Sequence, residues 1–454
     1  MEVERISKAL IKPSSPTPNH LKNHKISFLD QFGPPGFAPV VVFYSANQEF
    51  STIVDCANGV ASNAISKRSQ ALKQSLSEAL ARYYILAGKV NDDLSIDCND
   101  EGVPYIEARA NCRLDDYLSQ IDVSTLLKFL PEGVPKLVIP GCELVLVQET
   151  VFDCGGIALG FLLSHTIFDA ATISTFLRTW SALARRSIEE AFTPNFIASS
   201  IFPSNNSFPE DANGFALVGM LFKTGKFATR RFIFDGSAIA NLKKQATSSA
   251  VQNPSRVEVV SSLIIKRCMD ALKDISGTQK SILRTYPVNL RRKATPPLPE
   301  TCVGNLLLLA TSLSKGEEEL DDLVCQMREA TSTIDDDLLN SLQGDGGLSK
   351  FLDLIQELRE LFSESISSGA EHIGINSWCN FGFYNVDFGW GKPLWFPVSG
   401  LSVKNYIFLM DTRHGNGVEA WVSLDEEVMA VLEQDKELLS LASMDPNPAV
   451  IAKP

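Results

Sequence analysis

Apolar positions along this chain switch repeatedly between a period of two and a helical period. "PVVVFY" (39–44) is short, apolar and rich in β-branched residues, so it predicts a buried strand. In "SQALKQSLSEALARYY" (69–84), Leu72, Leu76, Leu80 and Tyr83 fall on one face, which predicts an amphipathic helix. "CELVLVQETVF" (142–152) and "GIALGFLLS" (156–164) read as neighbouring strands. "RRFIFD" (230–235) and "GVEAWVSL" (417–424) read as further strands, the second following the turn-forming "RHGNG". Beyond Asp169, the residues Ile173, Phe176, Leu177, Trp180 and Ala184 recur at helical spacing. The glycine-rich "CGGIALG" (154–160) lies inside a strand-like segment and suits close packing better than phosphate binding.

One stretch interrupts this alternation. "TPNFIASSIFPSNNSFPEDANG" (193–214) carries Pro194, Pro203 and Pro209 among serines and asparagines, and it predicts a linker without regular structure. It separates an N-terminal domain, 1–192, from a C-terminal domain, 215–454, and no internal repeat is visible. "SLQGDGGLSK" (341–350) reads as a surface loop. The fold class is mixed α/β.

Composition narrows the function classes. At 454 residues the chain exceeds one ordinary domain, and 44% apolar with 21% charged residues is a folded balance. A formal charge of −13 disfavours a nucleic-acid face, which needs a basic surface. Nine cysteines without a Cys-x-x-Cys pair read as reduced thiols, not as a disulfide framework or a zinc site. The N-terminal stretch lacks a continuous apolar segment, and no apolar run approaches the ~20 residues of a membrane span. A cytoplasmic location is therefore expected, where the sequon at Asn205 has no role. His20, His24, His372 and His414 show no metal-ligand spacing, so no metal is expected. Gly-x-Ser-x-Gly, Gly-x-Gly-x-x-Gly and P-loop patterns are absent.

The candidate chemistry sits in "GFLLSHTIFDAATISTFLRTW" (160–180). His165 follows a predicted strand, and Asp169 stands where a helix N-cap is needed. A neutral imidazole at a strand end can remove a proton from an alcohol or amine. A partly buried, hydrogen-bonded histidine followed by a plain helix cap gives the same pattern. Spacing alone leaves both open.

Other segments resemble a known family. "HTIFDA" (165–170), "DFGWGKP" (387–393), "NLRRKATPPLPETCVGN" (289–305), "LIKPSSPTPNHLKNHKISFLDQ" (10–31) and "LKQSLSEALARYYILAGKV" (72–90) resemble, in order, the BAHD acyltransferases of plants. These enzymes move acyl groups from coenzyme A thioesters. The resemblance implies two similar chloramphenicol-acetyltransferase-like α/β domains, each a mixed β-sheet flanked by helices, with a channel between them. Coenzyme A would enter from one face and the acceptor from the other. His165 would be the general base, with no covalent enzyme intermediate. Asp169 would point away from substrate and pair with Arg291, anchoring the histidine loop.

Asn376, Ser377 and Trp378 stand where the family has a Thr-Ser-Trp-like oxyanion and channel segment, with a departure at Asn376. Asp387, sometimes assigned a catalytic role by analogy, reads as structural, because Gly389 and Gly391 permit a tight turn whose amides an aspartate can accept. Arg291, Arg292 and Lys293 form the densest basic run of the second half, either a patch for coenzyme A phosphates or a solvated loop. Asn289, Asn305, Arg291, Gly389 and Gly391 are placed on the coenzyme A side or in structural roles.

"KPSSPTP", "KISFLDQ" and "MDTRHGNGVEAW" (410–421) are most similar to the vinorine synthase-like branch of alkaloid O-acetyltransferases. The implied reaction is acetyl transfer from acetyl-CoA to a hydroxyl of an alkaloid or other specialised metabolite. An amine acceptor, a malonyl or other acyl-CoA donor, and a non-catalytic binding relative are the alternatives. A malonyl group would call for a cation near the carbonyl, and the placement of Arg413 bears on that. Expected partners are acyl-CoA as co-substrate and a small hydroxylated metabolite. No permanently bound cofactor, no nucleic acid and no membrane are expected, and the protein is expected to be a monomer.

Overall fold

The computed structural model describes residues 1–46, 58–91, 94–204, 219, 225–398 and 403–448. Strands β1 (Val3–Ile11), β3 (Phe37–Tyr44), β6 (Val103–Ala110), β7 (Val145–Phe152) and β8 (Ile157–Ser164) form a sheet in the order β1-β6-β7-β8-β3. Its neighbours run antiparallel except β6 and β7. A small sheet of β2 (Asn23–Lys25), β5 (Ser95–Asp97) and β4 (Lys89–Val90) lies apart. The second large sheet contains β9 (Phe227–Phe234), β10 (Ile282–Asn289), β11 (Leu307–Ser314), β12 (Glu371–Ser377), β13 (Tyr406–Asp411), β14 (Val418–Asp425) and β15 (Ser443–Met444). Its order is β11-β10-β12-β13-β14-β9-β15, with β10, β12 and β13 parallel. Both large sheets are mixed, as expected, and all the predicted strands are present.

The pattern of burial explains the elements. β8 is buried at nearly every position because both of its faces are covered, so it reads as a continuous apolar run. At Gly160 an added Cβ would lie 1.9 Å from the carbonyl oxygen of Phe129. The glycine of "CGGIALG" therefore allows a close backbone approach. Helix Arg256–Ser276 begins with a Ser255/Glu258 capping box and stops at Gly277, whose φ is +68°.

Two local expectations change. Residues 341–350 are not all loop, because helix Gly347–Ser367 starts inside them. Leu348, Phe351, Ile355, Leu358 and Phe362 give that helix a buried stripe that outweighs its opening glycine. The stretch from 193 also contains a short helix, Ala198–Ile201, and Phe202 is fully buried. The predicted linker had no such element. The rest of that stretch, from residue 205, lies outside the described residues, as does the sequon at Asn205.

The two halves interlock. Leu394 donates its backbone N–H to Phe43 O at 2.7 Å, and Phe43 donates to Trp395 O at 2.9 Å, so a late segment extends the first sheet at its β3 edge. In the other direction, Phe28 and Phe32 pack on Phe351 with ring centroids 5.1 and 4.9 Å away. The site lies along this seam.

Candidate active site

β8 delivers His165 to the seam. Its backbone N–H donates to Gly36 O at 2.9 Å, which fixes the first residue of the loop. The loop ends where Asp169 caps helix Ala170–Ala184, its Oδ1 accepting the Thr172 N–H at 2.8 Å. The same carboxylate receives Arg291 twice, Nη1 to Oδ2 at 2.6 Å and Nη2 to Oδ1 at 3.2 Å. Arg291 is 0% exposed, and its remaining donors reach Cys302 O and Gly304 O. The pair thus ties the histidine loop to the loop that follows Arg291 in the second half.

His165 itself is held at one nitrogen. Its Nδ1 lies 3.1 Å from Asn305 Oδ1. The Asn305 amide is oriented by its other end, because Nδ2 donates to His165 O at 2.7 Å and to Asp30 Oδ1 at 3.2 Å. With an oxygen facing it, Nδ1 carries the proton, and Nε2 is left as a free base. The ring is enclosed by protein yet keeps part of its surface open to a cavity. That burial lowers the imidazole pKa below its usual value, while Asp169 and Asn305 oppose the shift. At neutral pH the imidazole is unprotonated.

The cavity measures about 320 Å³. His165, Asn289, Asn305, Asn376 and Ser377 supply its polar wall together with Asp169 and Tyr406, and the rest of the described wall is mainly apolar, with Phe168, Trp378 and Phe408 prominent. Among the described residues no Lys or Arg lines it, and the one carboxylate on the described wall is already committed to Arg291. Asn376 and Ser377 end β12, so the second sheet presents them to the space that β8 opens from the first. Trp378 follows, pinned by its backbone N–H to Leu409 O at 2.7 Å and packed on Phe383. Asn289 ends β10, and its Oδ1 accepts the Arg291 N–H at 3.1 Å.

Other predicted residues lie elsewhere. Asp387 does not line the cavity; its Oδ1 accepts the N–H groups of Gly389 at 2.8 Å and Gly391 at 2.9 Å. Both glycines have positive φ, +106° and +103°, which this turn requires. Phe388 anchors the turn edge-on against Trp180, ring centroids 5.1 Å apart. The basic run does not form one patch: Arg291 points inward, Arg292 pairs with Glu300 on the surface, and Lys293 donates to Thr331 O. Arg413 lines a separate small cavity beside Arg231 and Trp395. Asp30 went unnoticed in the sequence, although "SFLD" is a capping-box pattern, realised here by Ser27 and Asp30.

Among the described residues no cluster of side chains could hold a metal ion, and no helix is long and apolar enough to cross a membrane. The residues at the cavity are those of proton transfer and hydrogen bonding.

Comparison with known proteins points the same way. A family model described as the Transferase family matches residues 1–439. An epi-neemfruitin B 7-O-acetyltransferase of Melia azedarach is 45% identical, covering 99% of this chain and 100% of its own. A limonoid 7-O-acetyltransferase of Citrus sinensis is also 45% identical, with 99% and 100% covered. The crystal structure of vinorine synthase superposes with a TM-score of 0.79 at 33% identity and covers all of both chains.

Proposed function

The chain belongs to that family, the BAHD acyl-CoA-dependent acyltransferases, and on this premise we propose that it moves an acetyl group from acetyl-CoA to a hydroxyl of a neutral, polycyclic terpenoid alcohol of the limonoid kind. The observation that carries the reading is the placement of His165, on the cavity wall with Nδ1 occupied and Nε2 free. The apolar wall suits a hydrocarbon-rich acceptor, and the absence of a lining cation among the described residues suits a short neutral acyl group over malonyl. The relatives named for limonoid 7-O-acetylation supply the acceptor class. An alkaloid alcohol is the second reading, favoured by the likeness to vinorine synthase along the whole chain. A protonated amine would find no uncommitted carboxylate among the described residues of the wall, which favours the neutral alcohol.

His165 Nε2 takes the hydroxyl proton as the oxygen attacks the thioester carbonyl. The tetrahedral oxyanion collapses, the C–S bond breaks, and the thiolate of coenzyme A takes the proton back from the imidazolium. A base of this kind contributes ~10²–10⁴-fold. The oxyanion needs a donor, and the Asn376 amide or the Ser377 hydroxyl supplies it from the opposite sheet; one such donor contributes ~10²–10³-fold. Asp169 and Arg291 anchor the loop without touching substrate. Asp387, Gly389 and Gly391 shape a turn, and Asn289 holds Arg291. Coenzyme A enters and leaves as co-substrate, with no resident cofactor. The eight free cysteines among the described residues suit a reducing, cytoplasmic compartment.

The test is release of free coenzyme A thiol by wild type and by His165→Ala. Acetyl-CoA and malonyl-CoA are offered against hydroxylated limonoids and alkaloids, with products confirmed by mass. The expected result is acetyl transfer to a limonoid hydroxyl that falls ~10²–10⁴-fold in the variant. Near-normal turnover by a folded His165→Ala would overturn the base. The wild-type kcat/KM should be flat at and above neutrality and fall only below ~6.5, because the active form is the neutral imidazole and burial lowers its pKa.

A further inference from the structure

We propose that Asn305 and Asp30 are positioning residues that, with His165, form a buried Asp-Asn-His relay setting the tautomer and basicity of the imidazole. The proposal rests on the reading of His165 as the base. Its members come from distant parts of the chain. Asp30 lies in the short helix Phe28–Gln31, Asn305 lies before β11, and His165 follows β8.

Every contact in the relay has one direction. Asp30 Oδ1 accepts from the Asn305 backbone N–H at 2.7 Å and from Asn305 Nδ2 at 3.2 Å. Asp30 Oδ2 accepts from the Ser27 N–H at 2.9 Å and the Ser27 hydroxyl at 2.7 Å. Four donors and no acceptor surround this carboxylate, so the geometry selects its ionised form. The Asn305 amide turns its N–H end to that charge and its oxygen to His165 Nδ1. As Nε2 takes a proton, the amide conveys the negative potential of Asp30 to the new imidazolium. Asp169 also acts on the imidazolium through its charge, but it makes no hydrogen bond to the ring, since its oxygens are taken by Arg291 and by the helix cap.

The backbone is fitted around the relay. A Cβ on Gly33 would lie 2.9 Å from His165 O and 3.0 Å from Asn305 Nδ2. A Cβ on Gly304 would lie 3.2 Å from Asp30 Oδ1, in addition to its unfavourable φ of +130°. Asp30 is 2% exposed, and burial raises its pKa to about 6, against the four hydrogen bonds that lower it. It is ionised at neutral pH. As pH falls through about 6 it takes a proton that has no acceptor waiting, and the amide loses its anchor. The other titratable groups facing this region are His165, the Asp169–Arg291 pair and Cys302, whose thiol burial pushes up to about 11. Of these, His165 is the group that burial moves down from its usual value, whereas burial moves Asp30 up to about 6.

The test uses the full-length enzyme, acetyl-CoA and the best acceptor from the panel above. Asn305→Ala should lower kcat ~10–100-fold, the range for loss of an imidazole's orienting partner, with KM for both substrates within ~3-fold. In wild type the acid limb of kcat/KM should be steeper than one proton allows, because both Asp30 and the His165 imidazole must be deprotonated for turnover. Asp30→Asn should reduce it to a one-proton limb and lower kcat. A folded Asn305→Ala with kcat within ~2-fold of wild type would overturn the proposal, as would a one-proton limb in wild type, a measurement that needs no variant to fold. His165→Ala separates the two claims: full activity there removes the base itself, whereas its loss beside an unaffected Asn305→Ala removes only the relay.

Discussion

The two family motifs each contain an aspartate, and the two do different work. Asp169 is 6% exposed and receives the Thr172 and Leu306 N–H groups together with the guanidinium of Arg291. Asp387 is partly exposed, and among the described residues its carboxylate accepts from the two glycine amides of its own turn. One carboxylate joins the two halves behind His165. The other closes a local loop whose phenylalanine and tryptophan pack against the first half. A motif's sequence specificity is therefore no measure of its distance from the chemistry: the longer and more distinctive stretch lies off the cavity wall.

The largest effect should follow removal of Asp169. Asp169→Ala leaves Arg291 buried without a counter-charge, which costs ~3–5 kcal/mol, and it also removes a helix cap worth ~1 kcal/mol. Turnover should be lost together with apparent stability, read by chemical denaturation beside the thiol assay. Asp169→Asn keeps an acceptor for Thr172 and should recover part of the stability. If Asp169→Ala melts like wild type and is inactive, the residue has a direct chemical role, and the contrast with Asp387 fails in that form.

How much of this was legible in the sequence follows from range. β8, its turn into a helix and the N-cap at Asp169 were readable because strand pattern, loop and cap lie within about twenty consecutive residues. The helix at Gly347–Ser367 was missed at its start because glycines and polar residues mask a stripe that only burial reveals. Asp30 was missed for a different reason. Its capping box is local, but its contact with Asn305 spans 275 positions, and no pattern along the chain encodes that meeting. The inward turn of Arg291 was reached only through the family resemblance, which implied its pairing with Asp169; no local pattern distinguishes it from the outward Arg292.

Asp387→Ala should have an intermediate effect. It removes acceptors from two backbone amides in a partly exposed turn, about 1–2 kcal/mol of apparent stability. Either a lower melting temperature or a raised KM for acetyl-CoA should appear, with chemistry surviving at saturation. A well-folded variant with normal affinity for acetyl-CoA and no turnover would overturn the structural reading of this turn and bring the two aspartates back together.

The smallest effect sharpens the comparison from the cation's side. Arg291 and Arg292 are consecutive, yet the first is fully buried on Asp169 and the second forms a surface pair with Glu300, the side chains 69% and 48% exposed. Solvent screens that surface pair, and pairs of this kind contribute at most ~1 kcal/mol. Arg292→Ala should therefore change stability by less than ~0.5 kcal/mol and leave kcat unaltered. Its KM for acetyl-CoA is the informative reading. A value within ~2-fold of wild type would remove Arg292 from the path of the coenzyme A phosphates and leave Arg291, through Asp169, as the arginine of this run that matters to the site. A several-fold rise that weakens with added salt would assign Arg292 to phosphate binding and split the two neighbours between anchoring and recognition.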